Sequence, residues 1–345
     1  MTLAQLLTFT DKGIYCNAGN FYIDPWRPVD YAVITHAHSD HARPGSKHYL
    51  AHKHSEPILR LRLGHEISLQ TVEYGQTWMQ NGVKISLHPA GHIVGSAQVR
   101  VEYKGEIWVV SGDYKVENDG LSTPFEPVKC HHFISECTFG MPIYRWKPQA
   151  EIFDNMNAWW QENKANGKVS VVFAYSLGKA QRVLQGINPD IGSVFVHGAV
   201  WNVNKAIEEN GMVLNPYTRV EAGQTKKDWE GALVIAPGSA LGSPWLKKFG
   251  DYATASASGW MQVRGQKRRN ALDTGFVLSD HADWPGLNEA VLATEAQKVW
   301  TTHGYTAVFS RWLNDNGIES EEVVTQFGTE TEEESTQAFE EKTAD

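Results

Sequence analysis

The stretch Thr35-His36-Ala37-His38-Ser39-Asp40-His41 places three imidazoles and one carboxylate within six residues. It directly follows Tyr31-Ala32-Val33-Ile34, an uninterrupted apolar run that reads as a short buried strand. The ligand-type side chains therefore stand on the loop leaving a strand. Neutral imidazole and carboxylate are ligands that divalent zinc prefers. Side chains alternate along an extended backbone, so His36 and His38 point to one side. Asp40 and His41 come where the chain must turn, and they can face a second ion. One loop can thus supply half of a two-metal centre.

The rest of the chain sets the bounds. Its 345 residues suit one large domain or two, and 41% hydrophobic with 21% charged residues is ordinary for a globular protein. No apolar run approaches the roughly 20 residues needed to span a bilayer. The opening Met1-Thr2-Leu3-Ala4-Gln5-Leu6-Leu7 has no basic leader. Cys16, Cys130 and Cys137 form no CxxC pair and read as free thiols. The expected location is cytoplasmic, with no membrane partner. Net charge is −9, but Thr329–Asp345 holds seven acids and one lysine, which is −6. The remainder is −9 + 6 = −3. The tail reads as a solvated, disordered end, so the acidic total does not exclude a nucleic-acid partner for the body.

Short strands and tight turns are expected up to about Tyr103, with a helix at Glu56–Leu63 closed by Gly64. Further strands are expected at Gln98–Tyr103, Ile107–Ser111 and His131–Ser135. A helix is expected from about Ala150 to Lys164. Val169–Phe173, running into Ala174-Tyr175-Ser176-Leu177-Gly178-Lys179, restarts a strand–turn–helix pattern, and Ala232–Ala236 with Pro237-Gly238-Ser239 repeats it. Phe276–Ser279 and Val299–Thr302 return to the opening style. The second domain therefore reads as inserted into the first: residues 1–165 and 271–328 around 166–270, with 329–345 as the tail. Ligand-type residues recur at strand ends: His92 in Pro89-Ala90-Gly91-His92, Asp113 in Ser111-Gly112-Asp113, Glu136, His281 and His303. Each alone is weak. All of them following apolar strands is what a site at one sheet edge requires.

His36-x-His38-x-Asp40-His41, His92 and Asp113, with Asp24 of Ile23-Asp24-Pro25, resemble the motifs of the metallo-β-lactamase superfamily. Glu136, His281 in Ser279-Asp280-His281-Ala282-Asp283 and His303 in Thr302-His303-Gly304 resemble the extra motifs of its β-CASP branch, which acts on nucleic acids. Ile23–Pro28, Tyr175–Gln181 and Leu278–Leu287 are most similar to bacterial DNA-ligase-associated exonucleases.

The resemblance implies an α/β (α+β) fold, a four-layer αββα sandwich with an inserted α/β domain. It implies two Zn²⁺ ions, with Mn²⁺ an acceptable substitute. His36, His38 and His92 would hold one ion, and Asp40, His41 and His303 the other, with Asp113 bridging. His281 would be the general acid and Glu136 its orienting carboxylate. Asp24 would brace the metal loop. The substrate would be DNA, single-stranded or end-bearing, and the expected protein partner a DNA ligase or helicase of the same pathway. An RNA-processing nuclease has the same site chemistry and is the alternative. Ser176, Lys179 and Ser239, on turns after strands, are expected near phosphates. Arg268 is expected there too, in the basic run Arg264–Arg269 beside Trp260 and Trp245.

Overall fold

The apolar segments between Leu7 and Val72 assemble into one sheet. Strands β1 (Leu7–Thr10), β2 (Gly13–Cys16), β3 (Phe21–Ile23), β4 (Tyr31–Val33), β5 (His48–His52) and β6 (Leu69–Val72) lie in that order. The first three pair antiparallel, and β3 to β6 run parallel. The computed structural model describes residues 5–263 and 272–323. The basic run with Arg268, and the acidic tail, lie outside the described residues.

A second sheet begins as the meander β7 (Thr77–Gln80), β8 (Val83–Pro89), β9 (Ala97–Tyr103) and β10 (Glu106–Val110). It continues in parallel through β11 (His132–Cys137), β18 (Lys298–Gly304) and β19 (Glu319–Glu322). Alternation in β8 and β9 turns Val83, Ile85, Leu87, Val99 and Val101 into one core with Phe21, Ile23, Val33 and Leu50. The two sheets therefore pack face to face. The other face of the second sheet, with Val109, Phe133 and Val299, is covered by α6 (Trp284–Thr294) and α7 (Thr306–Asp315), chiefly through Trp284, Leu287, Val291, Phe309 and Leu313. Helix α1 (Glu56–Leu63) joins the parallel neighbours β5 and β6, and Gly64 closes it at φ 111°. The inner face is filled, so α1 must cross outside it. Helices and paired sheets thus form the layered α/β sandwich read from the sequence.

The chain divides into two compact units, one containing Met1–Arg145 and the described part after His281, the other Trp146–Asp280. The second unit is an all-parallel sheet of β12 (Val169–Phe173), β13 (Val194–Val196), β14 (Thr218–Arg219), β15 (Leu233–Ala236), β16 (Tyr252–Ala257) and β17 (Thr274–Phe276). Its order is β14-β13-β15-β12-β16-β17. Strands β12 and β15, apolar but for Ser170, are buried along their whole length, as parallel strands require. Helices α2 (Gln149–Ala165), α3 (Lys179–Gly186), α4 (Gly198–Glu209) and α5 (Lys226–Trp229) complete the unit.

The boundaries differ from those read in the sequence. The insert begins at Trp146 rather than 166, because α2 packs on β12. Within α2, Trp160 Nε1 donates to Gly231 O at 2.9 Å and Asn163 Nδ2 to Ser170 Oγ at 3.0 Å. The insert ends at Asp280 rather than 270, because β17 pairs with β16.

Candidate metal centre

The loops leaving β4, β8 and β10 meet over the ends of β11 and β18. Ala97 N donates to Thr35 O at 2.8 Å, which ties the histidine loop of the first sheet to the second. Gly112 lies at φ 56°, and a Cβ there would stand 2.6 Å from Thr35 Cβ. Glycine is what lets the Asp113 loop come this close. The His92 loop is held by Ser96 Oγ, which accepts from His92 N at 3.1 Å and Ile93 N at 3.2 Å.

His36, His38, His92 and Asp113 form one group, all buried, with one ligand atom from each lying within 4.8 Å of the others. His38 Nδ1 is 3.1 Å from both His36 Nε2 and His92 Nε2. Asp113 Oδ2 is 3.4 Å from His36 Nε2 and 3.7 Å from His92 Nε2. Ligand atoms at zinc's bond lengths of about 2.0–2.2 Å stand roughly 3.3–3.6 Å apart on a tetrahedron. The donor set and its spacing therefore fit a metal ion.

The other oxygen of Asp113 faces a second group. His41 Nε2 is 3.5 Å from Asp113 Oδ1 and 3.5 Å from Asp40 Oδ2. Those distances exceed a good hydrogen bond. His41 Nε2 is buried and has no hydrogen-bond partner among the described residues. The His303 ring stacks on His41 with centroids 5.2 Å apart. Burial alone would lower the His41 imidazole, but Asp113, Asp40 and Asp24 hold it well above its ordinary value. His36 is pushed well below its ordinary value by burial, helped by the His41 charge. Burial would raise Asp113, yet His41 and His281 hold it well below the usual carboxylate range. Two carboxylates around one imidazole nitrogen call for positive charge at that point, which either a proton on Nε2 or a metal ion in its place supplies. This group too has the chemistry of a metal site.

Asp24 sets the tautomers. Its Oδ1 accepts from Thr35 N at 2.8 Å, and its Oδ2 from His41 Nδ1 at 2.7 Å and Thr35 Oγ1 at 2.5 Å. Since the Thr35 hydroxyl gives its proton to Asp24, it accepts from His36 Nδ1, 3.0 Å away. One carboxylate therefore fixes both His36 and His41 with Nδ1 protonated and Nε2 turned inward. Thr302 Oγ1 stands 3.0 Å from His303 Nδ1 in the same way. Asp24 at φ 44° and His303 at φ 54° occupy the left-handed region, a strain that is common at functional sites.

Beside the two groups, His281 Nδ1 lies 3.0 Å from Glu136 Oε1, and Glu136 Oε2 accepts from Thr138 N at 2.7 Å. The His281 ring stands 4.7 Å from that of His92. Asp113, Glu136 and His281 themselves form a cluster that could bind a cation.

His36, His38, Asp40, His41, His92, Asp113, His303, Asp24, Glu136 and His281 thus come together. Of the expected substrate contacts, Ser176, Lys179 and Ser239 belong to the second unit. Lys179 is buried and its Nζ is 2.8 Å from Asp280 Oδ1. Ser176 is buried as well, with no hydrogen-bond partner for its Oγ among the described residues. Ser239 is half-buried in a short 3₁₀ turn. The sequence reading did not single out Thr35, Ser96 or Thr302 for the site. A hydroxyl next to a ligand histidine is the signal that could have marked Thr35 and Thr302.

No family model matches the chain. It is 30% identical over 311 residues to a probable DNA ligase of Opitutus terrae, covering 89% of this chain and 30% of that protein. It is 30% identical over 120 residues to cleavage and polyadenylation specificity factor subunit 3 of Dictyostelium discoideum, covering 34% of this chain and 15% of that one. It is 24% identical over 242 residues to transcription termination factor FttA of Methanothermobacter thermautotrophicus, 55% of this chain and 36% of the relative. The chain thus spans only 30% and 15% of the length of the first two. A solved structure of a protein of unknown function from Enterococcus faecalis V583 shares the fold, with TM-score 0.60 and 11% identity over 86% of this chain and 80% of that one.

Proposed function

Because the chain belongs to the β-CASP branch of the metallo-β-lactamase superfamily, we propose that it is a zinc-dependent DNA exonuclease working in DNA repair beside a DNA ligase. The observation that carries this reading is the pair of His/Asp groups sharing Asp113, one oxygen turned to each. Bound zinc would supply Lewis acidity toward a phosphodiester and bring water's pKa toward neutrality. His36, His38, His92 and Asp113 Oδ2 would hold one ion. Asp40, His41, His303 and Asp113 Oδ1 would hold the other. Asp24 keeps the inward nitrogens of His36 and His41 available as ligands. His281 delivers the proton that the departing sugar oxygen needs, and Glu136, on His281 Nδ1, aims Nε2. The inserted unit would be the β-CASP domain and carry substrate contacts.

A DNA substrate is supported by the relative named as a probable DNA ligase, which matches over 89% of this chain. The relatives named endoribonuclease, which match a shorter share, favour the second reading, an RNA-processing nuclease. End-labelled single-stranded DNA, duplex DNA and RNA, digested side by side by wild type and Asp40→Ala, decide between them. Stepwise shortening of DNA, lost in the variant, is the expected result. Cleavage of RNA alone would overturn the DNA assignment, and full activity of the variant would overturn the metal-site reading.

A further inference from the structure

The carboxyl edge of the second unit's sheet carries a cluster that the site chemistry does not use. Three strands adjacent in the sheet, β14, β13 and β15, contribute to it. His197 follows β13, Arg219 ends β14, and the turn after β15 leads to Trp245 and Lys248. The Arg219 guanidinium lies 5.0 Å over the Trp201 ring, and Lys248 Nζ 5.1 Å over the Trp245 ring. The His197 ring meets Trp245 edge-on with centroids 4.9 Å apart. Arg219 is exposed, and His197, Trp201, Trp245 and Lys248 are half-buried. Neither Arg219 nor Lys248 has a carboxylate partner among the described residues. A Cβ at Gly198, the residue after His197, would stand 3.5 Å from Arg219 Nη2, and burial, then Lys248 and Arg219, lower the His197 imidazole.

The carboxylate of Glu208, on the helix that carries Trp201, is already engaged. Glu208 takes Lys205 Nζ at 2.7 Å and the Tyr217 hydroxyl at 2.9 Å. Its charge therefore offsets Lys205, while Arg219 and Lys248 have no ion pair among the described residues. Two free cations, each lying on a tryptophan face, match what an unpaired nucleic-acid strand offers, phosphate anions and base faces. The carboxyl end of a parallel sheet is also where open α/β sheets bind ligands.

We infer that Arg219, Lys248 and His197, with Trp201 and Trp245, form a binding site on the inserted unit for a single-stranded stretch of nucleic acid, the cations taking phosphates and the indoles taking bases. The inference rests on the nuclease reading for its ligand class but not for its residues.

The test uses the full chain, loaded with zinc, and labelled phosphorothioate oligothymidylate and oligouridylate of about twelve nucleotides, within the usual site size. Fluorescence anisotropy at several salt concentrations reads the affinity. Arg219→Ala/Lys248→Ala should weaken binding about tenfold or more and flatten the salt slope by about 0.7 for each lost phosphate contact. Trp201→Ala should weaken it roughly fivefold or more with the slope kept. Hydrolysis of the small diester bis(p-nitrophenyl) phosphate should be unchanged in both variants, since it is too short to reach a base platform. Loss with either oligonucleotide supports the site and says which backbone it prefers. Unchanged affinity and slope for both oligonucleotides would overturn it. Should wild type cleave none of the end-labelled nucleic acids while the double variant still loses oligonucleotide binding, the nuclease reading fails and this site stands.

Discussion

The strand ends of the two units present opposite chemistry. In the first unit they gather imidazoles and carboxylates that are almost wholly buried, with His92 at 0% and His36 at 1% exposure. In the second unit, the ends of β13, β14 and β15 present cations on half-exposed indoles. The backbone device is the same: a strand delivers a loop to the sheet edge. Burial sets the kind of ligand each edge can take. A buried cluster with inward lone pairs and two carboxylates calls for a cation. A half-exposed cationic rim calls for an anion, and leaves it sequence-tolerant because phosphates and ring faces recur along any strand.

The sharpest break of this comparison is at Asp113, the one residue shared by both imidazole groups. Asp113→Ala should remove metal from both and lower phosphodiester cleavage by roughly 10³-fold or more, since metals supply several kcal/mol to such reactions. Asp40→Ala touches only the second group, so one equivalent should remain. Metal content by plasma mass spectrometry reads both. Equal loss in the two variants would mean that the groups are a single site.

His281→Ala separates proton delivery from ion binding. It should lower turnover by about 10²-fold or more while metal content and oligonucleotide affinity hold. Loss of a metal equivalent would reassign His281 as a ligand, in keeping with its place beside Asp113 and Glu136. Asp24→Asn is smaller. The amide presents only one oxygen, so the contacts to Thr35 and His41 cannot all be kept. Metal affinity should fall between tenfold and a hundredfold, the range for such outer partners. An unchanged zinc titration would show that the tautomers are set elsewhere.

Much of the first unit's edge was legible because its signals are local. HxHxDH directly after Tyr31–Ile34, and His92, Asp113 and His303 after apolar runs, need no knowledge of what packs where. The network behind them was less legible. Thr35 looks like any strand-end hydroxyl until the left-handed backbone at Asp24 swings its carboxylate beneath it. The rim of the second unit was illegible for a different reason. Arg219 ends a two-residue strand, and its neighbours come from two other segments, His197 and Trp201 from the start of α4 and Lys248 from the turn after β15. Only the strand order β14-β13-β15 makes them adjacent. The extent of the insert was misjudged likewise: the amphipathic pattern of α2 marks a helix and says nothing of which sheet it covers. Lys179 was read from its turn position alone, and the buried Asp280 that pairs with it lies a hundred residues on.

The finest test lies within the second unit, between cations that differ only in their partners. Lys205 stands 5.6 Å over the Trp201 ring and 5.3 Å over Tyr217, so by position it belongs to the rim as much as Arg219 does. By charge it does not, because Glu208 holds it at 2.7 Å. Lys205→Ala deletes a surface ion pair, so the melting temperature should move by no more than a few degrees. The Tyr217 hydroxyl still holds Glu208, which limits the carboxylate's reach toward the rim. Oligonucleotide affinity should therefore fall less than about threefold, against tenfold or more for the Arg219/Lys248 pair, and the salt slope should stay within about 0.3 of wild type, under half of one phosphate contact. A loss as large as that of the double variant would mean that Glu208 does not insulate Lys205, and that the rim acts through its summed field rather than through two free cations.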